Sequence, residues 1–341
     1  VFDLSAVVSC DADLEEAVGA RPGLIMLKSI RVLDEHCKGF LAHSPFAVVG
    51  TTTRDRALRT VAVGGAPGHL TPRSDTLLEL GDVSGHDVVD GAPAGLIALV
   101  PGYGETLRIN GRLHGTNSVT TLEVEEAFLH CAKAIMRSEL WSSAPTPAST
   151  TDADEPTVDE FLADTRFVVV ATVGADGHAD VSPRGDPPGL ICRIDDHTIA
   201  IAERPGNRRT DTLHNLMGDP RIAVLAMKPG STHVAEIRGT AQVCTDPALL
   251  ASMRLRDRTP KAALVIDVAH RELRDEPALA AATLWDPSRR IHEGTLPRAA
   301  TIWTDHIKRN TDAGLGATVT RRLVTKTAFA AGVAYDYRNN L

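Results

Sequence analysis

The sequence predicts a mainly β fold with accessory helices, built as two related units that meet within one chain. Three observations lead there. Short β-type runs are separated by turn residues at close spacing, which suits barrels or sandwiches better than alternating strands and helices. The order of these runs recurs once along the chain. Between the two copies lies SSAPTPASTTDADEPT, residues 142–157, whose small, polar and acidic residues read as a solvated linker.

The elements follow in order. Residues 1–42 read as a helical segment, with VLDEHCKGFLAH as a short helix before the first strand. A first unit over 43–141 carries FAVVGTT, LRTVAV and GLIALV as strands. LEVEEAFLHCAKAIMRSEL starts as a strand and passes into a helix, with Phe128, Cys131, Ala132, Ile135 and Met136 spaced to bury one stripe. A second unit over 158–298 carries RFVVVATV, TIAIAE and RIAVLAM. The extension 299–341 shows a weak helix signal in TIWTDHIKRN and nothing diagnostic after it.

The recurrence is domain-sized. Residues 43–70 lie over 164–190 at an offset of 121, matching Phe46 with Phe167, Pro67 with Pro188 and Gly68 with Gly189. GLIALVPGYGETLRINGRL parallels IAVLAMKPGSTHVAEIRGTAQV at an offset of 128. LEVEEAF at 122–128 parallels LVIDVAH at 264–270, and Trp141 parallels Trp285 near the unit ends. Two related small units on one tether predict a mutual interface, a homodimer fused into one chain.

Composition narrows the function. With 43% apolar and 23% charged residues the chain belongs among soluble globular proteins. A net charge of -8 argues against a broad nucleic-acid surface, though a local arginine cluster can still hold a small anion. The five cysteines show no paired short spacing, so reduced thiols are expected rather than disulfides or a metal site. No apolar stretch approaches 18 residues and no signal-like segment opens the sequence. The expectation is a cytoplasmic protein with no membrane partner.

Several segments together resemble the pyridoxamine 5'-phosphate oxidase-like superfamily of FMN-binding split barrels, and within it the FMN-dependent enzymes of unassigned substrate. They are VLDEHCKGFLAHSPFAVVGTT, GADGHADVSPRGDPPGL, ERPGNRRTDTLHNLMGDPRIAVL, PGYGETLRINGRL and EEAFLHCAKAIMRSELW. The resemblance implies two tandem antiparallel split β-barrels forming an intrachain pseudo-dimer, with FMN at their interface. The motifs are unequally shared. The second unit keeps SPRGDPPG and RPGNRR, where the first reads VAVGGAPG and LELGDVSGHD. The first keeps ETLRINGRL and EAFLHCAKAIMRS, where the second reads HVAEIRGTA and VAHRELRDEPA. One intact composite flavin site is therefore expected, with the phosphate side from the second unit and the partner side from the first.

Arg204, Arg208 and Arg209 lie within six residues, and guanidinium suits phosphate through planar charge-assisted bonds. Thr210 adds a hydroxyl, and the resemblance puts Ser182 and Arg184 beside the cofactor. Arg108, Asn110 and Arg112 alternate along a strand and so share a face, which lines the cleft or is simply a wet sheet surface. His130, Lys133 and Arg137 form an i, i+3, i+7 line that contacts an anion across the interface or faces solvent. His130 is the candidate proton-handling residue, because an imidazole titrates near neutrality. The leading expectation is an FMN-dependent oxidoreductase acting on a small molecule. Two alternatives stay open: a non-catalytic flavin- or haem-binding protein, and a lyase or hydrolase that has abandoned flavin on the same scaffold.

Overall fold

The computed structural model describes residues 2–81, 83, 88–116, 119–142, 156–312 and 315–340. In the first unit, seven strands form one antiparallel sheet: β1 (Phe46–Thr52), β2 (Leu58–Gly64), β3 (Thr71–Pro72), β4 (Leu77–Gly81), β5 (Pro93–Leu99), β6 (Leu107–Thr116) and β7 (Val119–Leu129). The second has β8 (Phe167–Val173), β9 (Ala179–Gly185), β10 (Ile191–Arg193), β11 (Thr198–Glu203), β12 (Arg221–Met227), β13 (His233–Cys244) and β14 (Ala262–Asp275). The spatial orders are β2-β1-β5-β6-β7-β4-β3 and β9-β8-β12-β13-β14-β11-β10, so equivalent strands occupy equivalent places. The protein is a mainly β fold with accessory helices, and the duplication is written in its topology.

A β-bulge sits at the same point in both sheets, at Asn110/Gly111 and at Arg238/Gly239. It fixes the correspondence of the long strands. Gly111 faces Val124 and Gly239 faces Val268, so 122–128 is equivalent to 266–272, two residues beyond the predicted 264–270.

The strand runs lack polar alternation because both of their faces are buried. On β1, Ala47 and Val49 enter the first unit's core while Phe46 and Val48 enter a layer between the units. On β8, Val168 and Val170 face the second core while Phe167, Val169 and Ala171 meet that shared layer. Two helices interlock the units. The first, α4 (Lys133–Ser138), lies on β9, and its counterpart α8 (Pro277–Ala282) lies on β2. Close approach requires glycine on each strand: a Cβ on Gly185 would overlap the Ala134 carbonyl, and one on Gly64 the Ala278 carbonyl. Trp141 and Trp285 meet with ring centroids 6.1 Å apart. Their indole N–H groups donate to the carbonyls of Tyr103 at 2.8 Å and Ser231 at 2.7 Å. The predicted pseudo-dimer is present.

Other helices break the symmetry. The N-terminal α1 (Asp11–Val18) packs Leu14 and Val18 into the second core, whereas α3 (Glu35–His43) packs Cys37, Phe40 and Leu41 into the first. Between them lies the short α2 (Gly23–Met26). The second unit holds α5 (Val158–Asp164) before β8, α6 (Asp211–Gly218) between β11 and β12, and α7 (Pro247–Ser252) between β13 and β14. The chain then ends in α9 (Ala299–Arg309), α10 (Leu315–Leu323) and α11 (Lys326–Asn340). The predicted stripe on 122–140 needs correction: α4 is short, Phe128 lies on β7, and Met136 is 43% exposed rather than buried. No described helix is long and apolar enough to cross a membrane.

Candidate functional site

Arg108 starts the site. β6 turns Leu107, Ile109 and Leu113 into the core, so Arg108, Asn110 and Arg112 share the other face, as predicted. At the end nearest the second unit, Arg108 is 1% exposed and donates to Asp180 and Asp211. Its Nη1 also reaches the Ser182 hydroxyl at 3.2 Å. Arg209 donates to Glu126, to Asp211 at 2.6 Å and to Ser29 at 2.6 Å. Both guanidiniums lie over the Phe128 ring, 4.3 and 3.8 Å from its centroid. Thr212 and Ser182 each donate to Asp180 at 3.1 Å. Burial pushes the Asp211 carboxyl up, but Arg108 and Arg209 outweigh it and hold it well below the usual range. This is a closed, buried charge network that staples the two units together.

A second ring of cations surrounds it. Arg204 pairs with Asp186 at 2.6 Å, and Arg137 approaches the same carboxylate at 3.5 Å. Arg184 pairs with Glu203 at 2.9 Å and Lys133 with Asp336 at 2.8 Å. Arg208 is exposed and has no ionic partner among the described residues. Arg208 and Thr210 both hold positive φ, 57° and 55°, a conformation costly for residues with side chains. His130 sits among these groups, 8% exposed. Burial, with Arg108 and Arg209 nearby, holds its imidazole well below the ordinary value, so it is neutral at pH 7. That direction runs against an imidazole that titrates near neutrality.

Arg108, His130, Lys133 and Arg137 from the first unit line one inter-unit cleft with Ser182, Arg184, Arg204, Arg208, Arg209 and Thr210 from the second. Asn110 and Arg112 do not line it. Asn110 donates to Glu126 at 2.9 Å, and Arg112 reaches the Gly91 carbonyl and Glu125, each at 3.3 Å. The cleft holds about 70 Å³, far below the several hundred typical of cofactor pockets. Along 203–210 it shares a wall with a chamber of about 840 Å³. Leu24 and Ile25 of α2, Trp303 of α9, and Phe329 and Val333 of α11 line that chamber.

The donor set suits an FMN phosphate. Among the described residues Arg208 has no ionic partner, and the buried Nε of Arg184 and Nε2 of His130 have no hydrogen-bond partner. At the equivalent place on the other side of the pseudo-axis, Val61 and Val63 stand where Ser182 and Arg184 stand here. The position equivalent to Arg108 is Glu236, and to His130, Arg274. LELGDVSGHD, the counterpart of the arginine loop, falls largely outside the described residues.

Sequence reading missed the acids and the roof. Asp180, Ser182 and Arg184 alternate on β9, a signal of one shared face, and Asp211 directly follows RRT. For the C-terminal helices no sequence signal pointed at the site. A further buried trio, Asp34, Cys37 and His306, comes within 4.8 Å, but Asp34 Oδ1 already accepts from the backbone N–H groups of His36 and Cys37, each at 3.0 Å. Its place is the cap of α3.

Fold and site together define a fused pair of split barrels with one cation-lined cleft between them. Residues 154–283, which carry the second sheet, match the family described as pyridoxamine 5'-phosphate oxidase. Among solved structures, HupZ of Group A Streptococcus is 21% identical, with 36% of this chain and 95% of that one covered at a TM-score of 0.30. A putative pyridoxamine 5'-phosphate oxidase from Lactobacillus delbrueckii is 20% identical over 36% and 96%, at 0.28. HutZ, the heme storage protein from Vibrio cholerae, is 14% identical over 36% and 93%, at 0.27. Similarity at this level assigns no residue a role. No curated protein matches the chain.

Proposed function

We propose that the protein is an FMN-dependent oxidoreductase acting on a small molecule through one composite flavin site per chain. The observation that supports it is the gathering of cations from both units on a single cleft, with Val61, Val63 and Glu236 opposite Ser182, Arg184 and Arg108, although Arg274 stands opposite His130. Arg204, Arg208 and Thr210 would hold the phosphate, with Arg184, Ser182, Arg137 and Lys133 completing the cationic wall. Arg108 and Arg209 act behind them, fixing the wall through Asp180, Asp211 and Glu126. Bound flavin supplies hydride or electron transfer. The chain's own part is to bind and orient the cofactor and, through the roof of α10 and α11, to restrict water. His130, held neutral, would accept or donate a hydrogen bond as an uncharged ring rather than take up a proton.

The test is an absorption spectrum of the purified protein and an FMN titration. Flavin bands with one FMN per chain are expected, and replacing Arg204 and Arg208 together by Ala should weaken FMN binding at least tenfold, the scale of one charge-assisted hydrogen bond. Two tightly bound FMN per chain, or full affinity in the double variant, would refute the reading.

A further inference from the structure

The large chamber contains a charge with no direct ion pair among the described residues, on which Glu105 and Asp336 act only from beyond contact. Lys28, just after α2, is 5% exposed, and its Nζ lies 3.8 Å from the centroid of the Trp303 ring and 5.1 Å from that of Phe329. It forms no hydrogen bond or ion pair with another described residue. A buried ammonium without an anion is costly, because the aromatic faces return only part of the lost hydration. Leu24, Ile25, Trp303, Phe329 and Val333 give the chamber apolar walls, with Arg204, Arg208 and Lys261 set against Glu203 and Asp336 elsewhere on the lining. Burial depresses its pKa to about 8, which leaves it cationic at neutral pH.

We propose that this chamber binds an organic carboxylate with an aromatic or apolar body, with Lys28 as the counter-ion. Its volume of about 840 Å³ is that of a small-molecule site, and apolar walls with a few placed polar groups are how such sites select orientation. Binding an anion there removes the cost of the isolated charge, so the site discriminates for the charge more than for the shape of the ligand. As a binding site the chamber does not depend on the flavin assignment. Only its role as the substrate site rests on that reading, through the wall shared along 203–210.

The experiment compares 2-naphthoate with neutral 2-naphthamide by calorimetric titration of the full chain, with FMN added and without. The carboxylate should bind at least tenfold more tightly, the range of a hydrogen bond to a charged group. Lys28→Met should bring the two ligands within about twofold of each other, and Lys28→Arg should restore most of the preference. Gly332→Phe fills the chamber from α11, where a Cβ meets nothing within 4 Å, and should abolish binding of both. Equal affinities in the wild-type protein, or an unchanged preference in Lys28→Met, would overturn the proposal. The FMN titration of the Arg204 and Arg208 variant reports separately on the flavin reading.

Discussion

Replacing Arg108 by Met tests whether the inter-unit network is structural. Methionine keeps much of the stem's packing on Phe128 and removes the charge. Asp211 would retain Arg209 at 2.6 Å and Arg21 at 3.2 Å. Asp180, 3% exposed, would keep only the hydroxyls of Ser182 and Thr212. Stranding one partner of a buried pair costs about 3–5 kcal/mol. The loss should appear in urea unfolding of the cofactor-free protein, followed by circular dichroism. Adding Asp180→Asn removes the stranded charge and keeps an acceptor for the two hydroxyls, so it should recover about 2 kcal/mol or more. The pH dependence has a definite sign. Burial already raises the Asp180 pKa despite Arg108, and removing Arg108 should raise it further, so the variant should regain stability relative to wild type as pH falls from 7 to 5. A loss under about 1 kcal/mol, or no recovery in the double variant, would refute a structural role and return Arg108 to the ligand side of the cleft.

Other expectations are compact. Gly185→Ala and Gly64→Ala should each cost about 1–3 kcal/mol, since the new methyl meets a helix carbonyl, but only Gly185→Ala should also weaken FMN binding. Equal effects on FMN would remove the proposed one-sidedness. Lys28, with a folded pKa of about 8 against about 10.4 unfolded, binds fewer protons in the folded state between those values. Stability should therefore rise with pH over that window, by up to about 3 kcal/mol, and the rise should vanish in Lys28→Met. Parallel urea-midpoint curves for the two proteins would contradict it.

Much of this was legible in the sequence, for reasons that also mark where reading failed. The duplication showed itself through Phe46 and Phe167 and the two tryptophans, which are constrained by contact between units, and through Gly68 and Gly189, which share a positive φ of 83° and 95°. The third match slipped by two residues because a strand pattern repeats every two, so LEVEEAF fits LVIDVAH as readily as its true counterpart. The cation cluster was readable from RPGNRR, whereas its acids come from β7, β9 and the start of α6, and only Asp211 stands beside it in sequence. The roof left no trace. Trp303, Phe329 and Lys28 are ordinary residues in weakly patterned segments, and only the return of α9 to the first unit brings them to one place.

A self-associating chain must present the same residue on both sides of its two-fold axis. Covalent continuity lifts that restriction. Here Arg108 and Glu236 occupy matching positions with opposite charge. Joining the two faces is also a unimolecular event, so dilution does not separate them. The molecule can thus specialise one side of its axis without altering the other, an arrangement closed to any symmetric pair of identical subunits.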